Sequence, residues 1–251
     1  MRFFANLFSA LILLVATSAD AGEETYSRFL DTFVVEQGPG VTSVRYGEVT
    51  DKDRDALKAW IESQAVAGPP EDRDAAFAWW VNLYNAVTLD VVLDNYPVDS
   101  IRDIRFGFGL RPGPWREDLV AVNGEAMSLD DIEHGTLREE WDEPRVHFAV
   151  NCASIGCPAL LPEPFAAETL ETQLDTATRA FVNSGRAVQV DEGGDLILSS
   201  IFQWYGEDFG DNDRAILDWL RFYAEGDTAA MLDGRRKIDG YAYDWSLNEA
   251  E

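Results

Sequence analysis

Residues 72–95 constrain the fold more than any other stretch. Phe77, Trp79, Trp80, Val81, Leu83, Tyr84, Val87, Leu89, Val91, Val92 and Leu93 fall at spacings that cover nearly the whole circumference of a helix, and Pro97 stops it. A helix that is apolar all round is buried all round, so the remaining chain must wrap it. Asn82 and Asn85, three apart, share one face of this helix. Inside a core each amide needs partners, because an unsatisfied one costs about 1–3 kcal/mol.

The flanking segments supply that wrapping. Residues 26–36 and 51–67 read as amphipathic helices, the second ended by Gly68-Pro69-Pro70, and residues 41–49 alternate like a strand. Residues 106–114 form a Gly/Pro loop, and residues 119–127 fold around Asn123-Gly124 as a hairpin. Ser128, with Asp131 three positions on, caps a helix that carries Ile132, Glu133, His134, Leu137 and Arg138. Further on, the pattern predicts a helix over 167–182, a hairpin over 187–199 turning at Gly193-Gly194, and an apolar turn at 201–205. A helix over 213–224 and a final aromatic strand over 241–247 complete it. No repeat or linker divides these segments. The expected fold is one α+β domain: a long buried central helix packed with small antiparallel strands or hairpins and surrounding helices.

The N-terminus reads as a processing signal. Met1-Arg2 is followed by an apolar stretch to Ala16, and Ala19-Asp20-Ala21 offers the small residues of a cleavage site after Ala21. Residues 1–21 are thus a predicted signal peptide and residues 22–251 the mature domain, exported to the periplasm or beyond the cell. No later apolar run is expected to span a bilayer. The net charge of −26 argues against nucleic acid and anionic lipid as partners, both of which need basic patches. Its ordinary meaning is a solvated acidic surface.

Chemistry concentrates in residues 145–158, which hold both cysteines and one of the two histidines. Val146, Phe148 and Val150 alternate with His147, Ala149 and Asn151, the period of a half-buried strand, and Pro158 turns the chain. Three readings are open. Cys152 is a nucleophile with His147 as base and Asn82 or Asn85 as orienting or oxyanion group; this requires a bend at Asn151, since residues 147 and 152 of one strand face opposite ways. Alternatively Cys152 and Cys157 form a disulfide, the ordinary fate of two cysteines in an exported chain. The third reading is a zinc site from His134, His147, Cys152 and Cys157, although their spacing fits no standard finger. No cofactor is expected. Asp208, Asp211 and Asp213 lack the glycine and distal glutamate of a calcium loop, and cap the next helix instead.

Five ordered motifs carry a resemblance: residues 77–86, 128–138, 147–158, 204–209 and 243–248. Together they resemble domain-of-unknown-function family 547 across almost the whole mature chain. The resemblance implies an exported bacterial member and points to Asn82, Asn85, His134, Arg138, His147, Cys152, Ser154 and Cys157. It brings no activity. The expectation is a thiol-dependent hydrolase or acyl transferase on an amide or peptide-like substrate. In it Cys152 is nucleophile, His147 or else His134 is base, and Arg138 and Ser154 bind substrate, Arg138 as a carboxylate clamp. The rival is a non-enzymatic binding domain with Cys152 and Cys157 bridged. The ligand in either case is an unknown small molecule or peptide-like group.

Overall fold

The computed structural model describes residues 24–107, 112–210 and 212–250. The predicted signal peptide, four residues of the 106–114 loop and Asp211 lie outside the described residues.

The chain is organised around α3 (Arg73–Asn95), and the reasons are local. Asp72 caps it, its side chain accepting from the backbone N–H groups of Asp74 and Ala75, and Tyr96 is extended ahead of Pro97. By length and composition α3 could cross a bilayer, contrary to expectation. Yet 89% of its most apolar window is buried inside the fold, so here it is a core helix.

Against α3 packs α2 (Asp51–Ala67), opened by a reciprocal cap between Thr50 and Asp53. It closes at Gly68, whose φ of 73° favours glycine. Residues 24–33 form α1, which ends earlier than predicted because Val34 begins β1 (Val34–Gly38), paired antiparallel with β2 (Val41–Val44). The predicted 41–49 strand stops at Val44, and Tyr46–Glu48 is a 3-10 turn. The Asn123-Gly124 hairpin forms as expected from β3 (Val120–Val122) and β4 (Glu125–Met127).

The next helix is not uniform. It runs as α4 (Leu129–Ile132), widens to a π-turn over Glu133–Leu137 and resumes as α5 (Arg138–Trp141). Such a bulge redirects side chains locally.

The predicted strand over 146–150 is instead a 3-10 segment, Pro144–Phe148. Glu143 accepts from Arg145 N–H at its start and Pro144 presets the first turn. No strand pairs with it. The alternation reflects two cores rather than two faces of a sheet. Val146, Ala149 and Val150 join the cluster around α1–α3, whereas Phe148 enters a second cluster. That second core is formed by α6 (Leu170–Val182), α9 (Asp213–Tyr223) and β5 (Val188–Val190) with β6 (Leu196–Ser199). In it Phe148 packs on Phe181, Phe202 and Trp219.

Two short helical turns follow β6: α7 (Ile201–Trp204), where an apolar turn was expected, and α8 (Gly206–Phe209). After α10 (Gly226–Leu232) the last strand, β7 (Gly240–Ala242), is shorter than predicted and runs parallel to β6. Residues beyond it continue as an irregular tail, bridged at Leu247 to Ser154 and at Glu249 to Val44. The architecture is therefore α+β, with small sheets around a long central helix.

Candidate active site

The loop after the 3-10 segment is tied down by Asn151. Its Oδ1 accepts from Ala153 N–H at 2.8 Å and its Nδ2 donates to Pro158 O at 2.7 Å, so both ends of the cysteine loop hang on one amide. Ala153 sits at φ 55°, a left-handed conformation that costs a non-glycine residue about 1–2 kcal/mol and doubles the chain back. The turn closes with Cys157 N–H donating to Ser154 O at 3.0 Å. The tail lies against this loop. Ile155 N–H donates to Ser246 O and Gly156 N–H to Asp244 O, each at 2.8 Å. Only glycine fits at 156, because a Cβ there would stand 2.8 Å from Asp244 N.

This folding brings both thiols together, free and unbonded, with Sγ atoms 3.0 Å apart. Cys157 is buried and Cys152 half-buried. Cys152 Sγ also lies 3.3 Å from Ser154 Oγ and 3.0 Å from Tyr243 Oη, and those two hydroxyls are 3.0 Å from each other. Three neutral polar groups thus surround one sulfur. The hydrogen bond from Cys157 leads in holding the Cys152 thiol below its ordinary range, against the opposing effect of burial, with Ser154 and Tyr243 adding to it. Burial pushes Cys157 well up, and its bond to Cys152 adds to this. Tyr243 is likewise raised, by burial first, and so keeps the proton it donates.

The imidazole predicted as base is engaged elsewhere. His147 Nε2 lies 2.6 Å from Asp208 Oδ2, and Nδ1 lies 3.6 Å from Glu133 Oε1, an ion-pair distance too long for a hydrogen bond. The ring stacks on Tyr205 at 4.0 Å. Burial alone would lower the His147 pKa, but the two carboxylates outweigh it and the net direction is upward. Both carboxyls move the other way. Burial opposes ionisation of each, yet His147 holds both below the usual carboxylate range, helped by Arg138 at Asp208 and by Tyr84 at Glu133. The two carboxylates therefore favour the charged form of His147, and the ring is not among the hydrogen-bond partners of Cys152.

The other expected residues divide by position. Asn85 is buried and spans Ala149 O (3.0 Å) and Asn151 N–H (2.8 Å), which positions the start of the cysteine loop. Asn82 is half-buried and exchanges both bonds with the backbone of Phe165. Neither amide reaches the cavity described below. Arg138 is not placed as a substrate clamp: its fork is taken by Asp208 at 2.7 and 2.8 Å and by Glu207 at 2.8 Å. Ser154 is buried beside the thiol. His134 is half-buried, with Nδ1 3.4 Å from Arg138 Nη1. Since guanidinium only donates, Nδ1 is the acceptor in this contact, and Nε2 lies 3.9 Å from Asp130 Oδ1. The four residues of the zinc reading do not converge, and among the described residues no group of three or more His, Cys, Asp or Glu could hold a metal.

Cys152, Cys157, His134, His147 and Glu133 all line one cavity of about 530 Å³, closed by Tyr84, Trp115, Trp204, Tyr205, Tyr243 and Trp245. This is the size and apolar character of a small-ligand site. Three participants were not expected at the site from sequence. Asp208 is no helix cap, for Asn212 caps α9 through Ala215 N–H, and Asp208 instead pairs with His147 and Arg138. Tyr243 meets Cys152 across 91 positions. Glu133 carried a usable signal: it stands midway between Leu129 and Leu137 at helical spacing, where an acid faces the core.

The family model described as "Protein of unknown function, DUF547" matches residues 71–182. Residues 71–182 belong to that family. The DUF547 match takes in α3, the π-turn, the cysteine loop and α6, but not Asp208 or Tyr243, so part of the thiol's surroundings lies outside it. No curated protein and no solved structure matches the chain.

Proposed function

We propose that this is an exported thiol-dependent hydrolase or acyl transferase acting on an amide or peptide-like substrate through Cys152. The supporting observation is the cavity-lining sulfur ringed by Cys157, Ser154 and Tyr243, which favour its thiolate. The substrate carbonyl occupies the cavity. The Cys152 thiolate attacks its carbon, a C–S bond forms and the acyl C–N bond breaks. The departing amine takes the proton that the Cys152 thiol gave to His134 on forming the thiolate; His134 is the imidazole at the cavity wall that is not locked between carboxylates. Water then attacks the thioester, giving a proton back to His134, and the thiolate returns to its donors. An amine in place of water makes the reaction a transfer. His147 acts here as the positioning group of the wall, not as base.

The test is p-nitrophenyl acetate turnover with intact-mass detection of the acyl-enzyme. Wild type should give a burst of one nitrophenolate per chain and an acetylated Cys152; Cys152→Ala should give neither, and His134→Ala should slow turnover. A burst that survives in Cys152→Ala would sink the reading. A second reading, a binding domain with the cysteines bridged, is favoured by the 3.0 Å sulfur separation. It predicts oxidised protein with no free thiol and no burst.

A further inference from the structure

The cavity holds two thiols where acyl transfer uses one. We propose that Cys152 and Cys157 are also a dithiol–disulfide exchange centre, in which Cys152 attacks a small-molecule or peptide disulfide and Cys157 resolves the product. The proposal shares with the acyl reading only the nucleophilic character of Cys152, and goes beyond it in reaction and substrate.

The geometry assigns the order of attack. Cys152 is the more exposed sulfur, whereas Cys157 sits buried 3.0 Å behind it, its S–H facing Val150 O at 3.9 Å. The backbone N–H of Cys152 also donates to Cys157 Sγ, at 2.9 Å. A donor already faces the second sulfur when its proton leaves. Arg186 holds the backbone of the same residue from outside the cavity. Its guanidinium donates to Cys157 O at 2.6 Å and to Ile155 O at 3.2 Å, placing a fixed positive charge beside the resolving residue. The loop is built for approach of the sulfurs. The left-handed Ala153 and the two bonds of Asn151 fold the segment so that the sulfurs need close by only about 1 Å to reach bonding distance. A bridge across so short a loop adds little to the fold through chain entropy, and the fold closes without it. What it gains is a change of chemical state at the cavity wall.

The steps balance. The Cys152 thiolate attacks one sulfur of R–S–S–R, forming Cys152–S–S–R and releasing R–S⁻. Cys157 then loses its proton and attacks Cys152 Sγ, forming the internal disulfide and releasing a second R–S⁻, which the proton neutralises. The dithiol is oxidised by two electrons and the substrate disulfide reduced to two thiols. The same path in reverse oxidises a dithiol substrate.

The probe is oxidised glutathione, with products read by intact mass and peptide mapping. Reduced wild type should become lighter by two hydrogen atoms, with Cys152 linked to Cys157 and glutathionylated protein only transient. Cys157→Ser should stop at a stable adduct carrying one glutathionyl group on Cys152. Tyr243→Phe should slow capture about tenfold near neutral pH, as expected when a thiol pKa climbs by about one unit. A wild type that accumulates the mixed disulfide without closing the internal one overturns the proposal, and so does a Cys152–Cys157 bridge that glutathione cannot reduce. The first outcome leaves the nitrophenyl acetate burst free to stand, and after the second the burst is read on protein reduced with dithiothreitol. Conversely, loss of the burst with exchange intact removes the acyl reading and retains this one. Thermal melting of Cys157→Ser separates a folding defect from a chemical one, and rapid closure in wild type supports the proposal without any variant.

Discussion

His147 Nε2 and Asp208 Oδ2 lie 2.6 Å apart although 61 positions separate them in the chain. The contact joins the 3-10 segment Pro144–Phe148 to α8, and with Glu133 on the other side it fixes a charge inside the wall of the cavity.

The pH dependence of stability follows from the directions of these shifts. Asp208 and Glu133 are held below their ordinary values, so their contribution is present above about pH 4 and is lost as pH falls through the folded values. His147 is raised, so its contribution is full below about pH 6.5 and is lost as pH rises through the folded value. A Tm series should therefore fall at both ends around a mildly acidic plateau. In His147→Gln the alkaline limb attributable to this residue should disappear.

Removing the imidazole leaves two carboxylates facing one another across a buried site. His147→Ala should cost about 3–5 kcal/mol in urea unfolding, the range for breaking a buried ion pair on one side. Adding Glu133→Gln to it should recover part of that loss. A cycle showing no coupling would mean that the three groups do not act together.

The Cys152 thiolate depends on hydroxyl donors, so iodoacetamide labelling should begin below the ordinary thiol range and shift upward in Tyr243→Phe and Ser154→Ala. A shift of about one pH unit is the scale of one lost hydrogen bond. His147→Gln should leave the profile in place. An equal shift in that variant would restore the imidazole as the activating group.

Asn85 and Asn82 are separable by the same logic. Asn85→Leu strips partners from two buried backbone groups, at about 1–3 kcal/mol each, and should destabilise more than Asn82→Leu, whose site is half open to water. Chemical denaturation of the two variants decides the order.

What was legible in the sequence was whatever depended on neighbours along the chain. α3 announced itself through its apolar circumference and the stop at Pro97, and Asn123-Gly124 marked its hairpin. The period-two pattern around His147 was misleading, because two separate cores on either side of a 3-10 turn produce the same alternation as the two faces of a sheet. The thiols were findable as a pair five positions apart. Their setting was not, since Tyr243 and the carboxylates that hold His147 come from distant segments whose proximity no local pattern records.

The tail bears on how the protein is made. Tyr243 reaches Cys152, and Asp244 and Ser246 accept from the cysteine loop. Asn248 donates its backbone N–H to Ala153 O and accepts from Val44 N–H and the Tyr46 hydroxyl, both in the opening third of the chain. A ribosome delivers these residues well after the cysteine loop. Until they emerge, the nascent chain carries two cysteines in a loop without its covering strand, and its sulfur lacks the phenol that tunes it. Reactivity at Cys152 is thus acquired some ninety residues after the loop itself is made, and a product cut short before Tyr243 would retain the segment that matches the family while lacking the finished thiol.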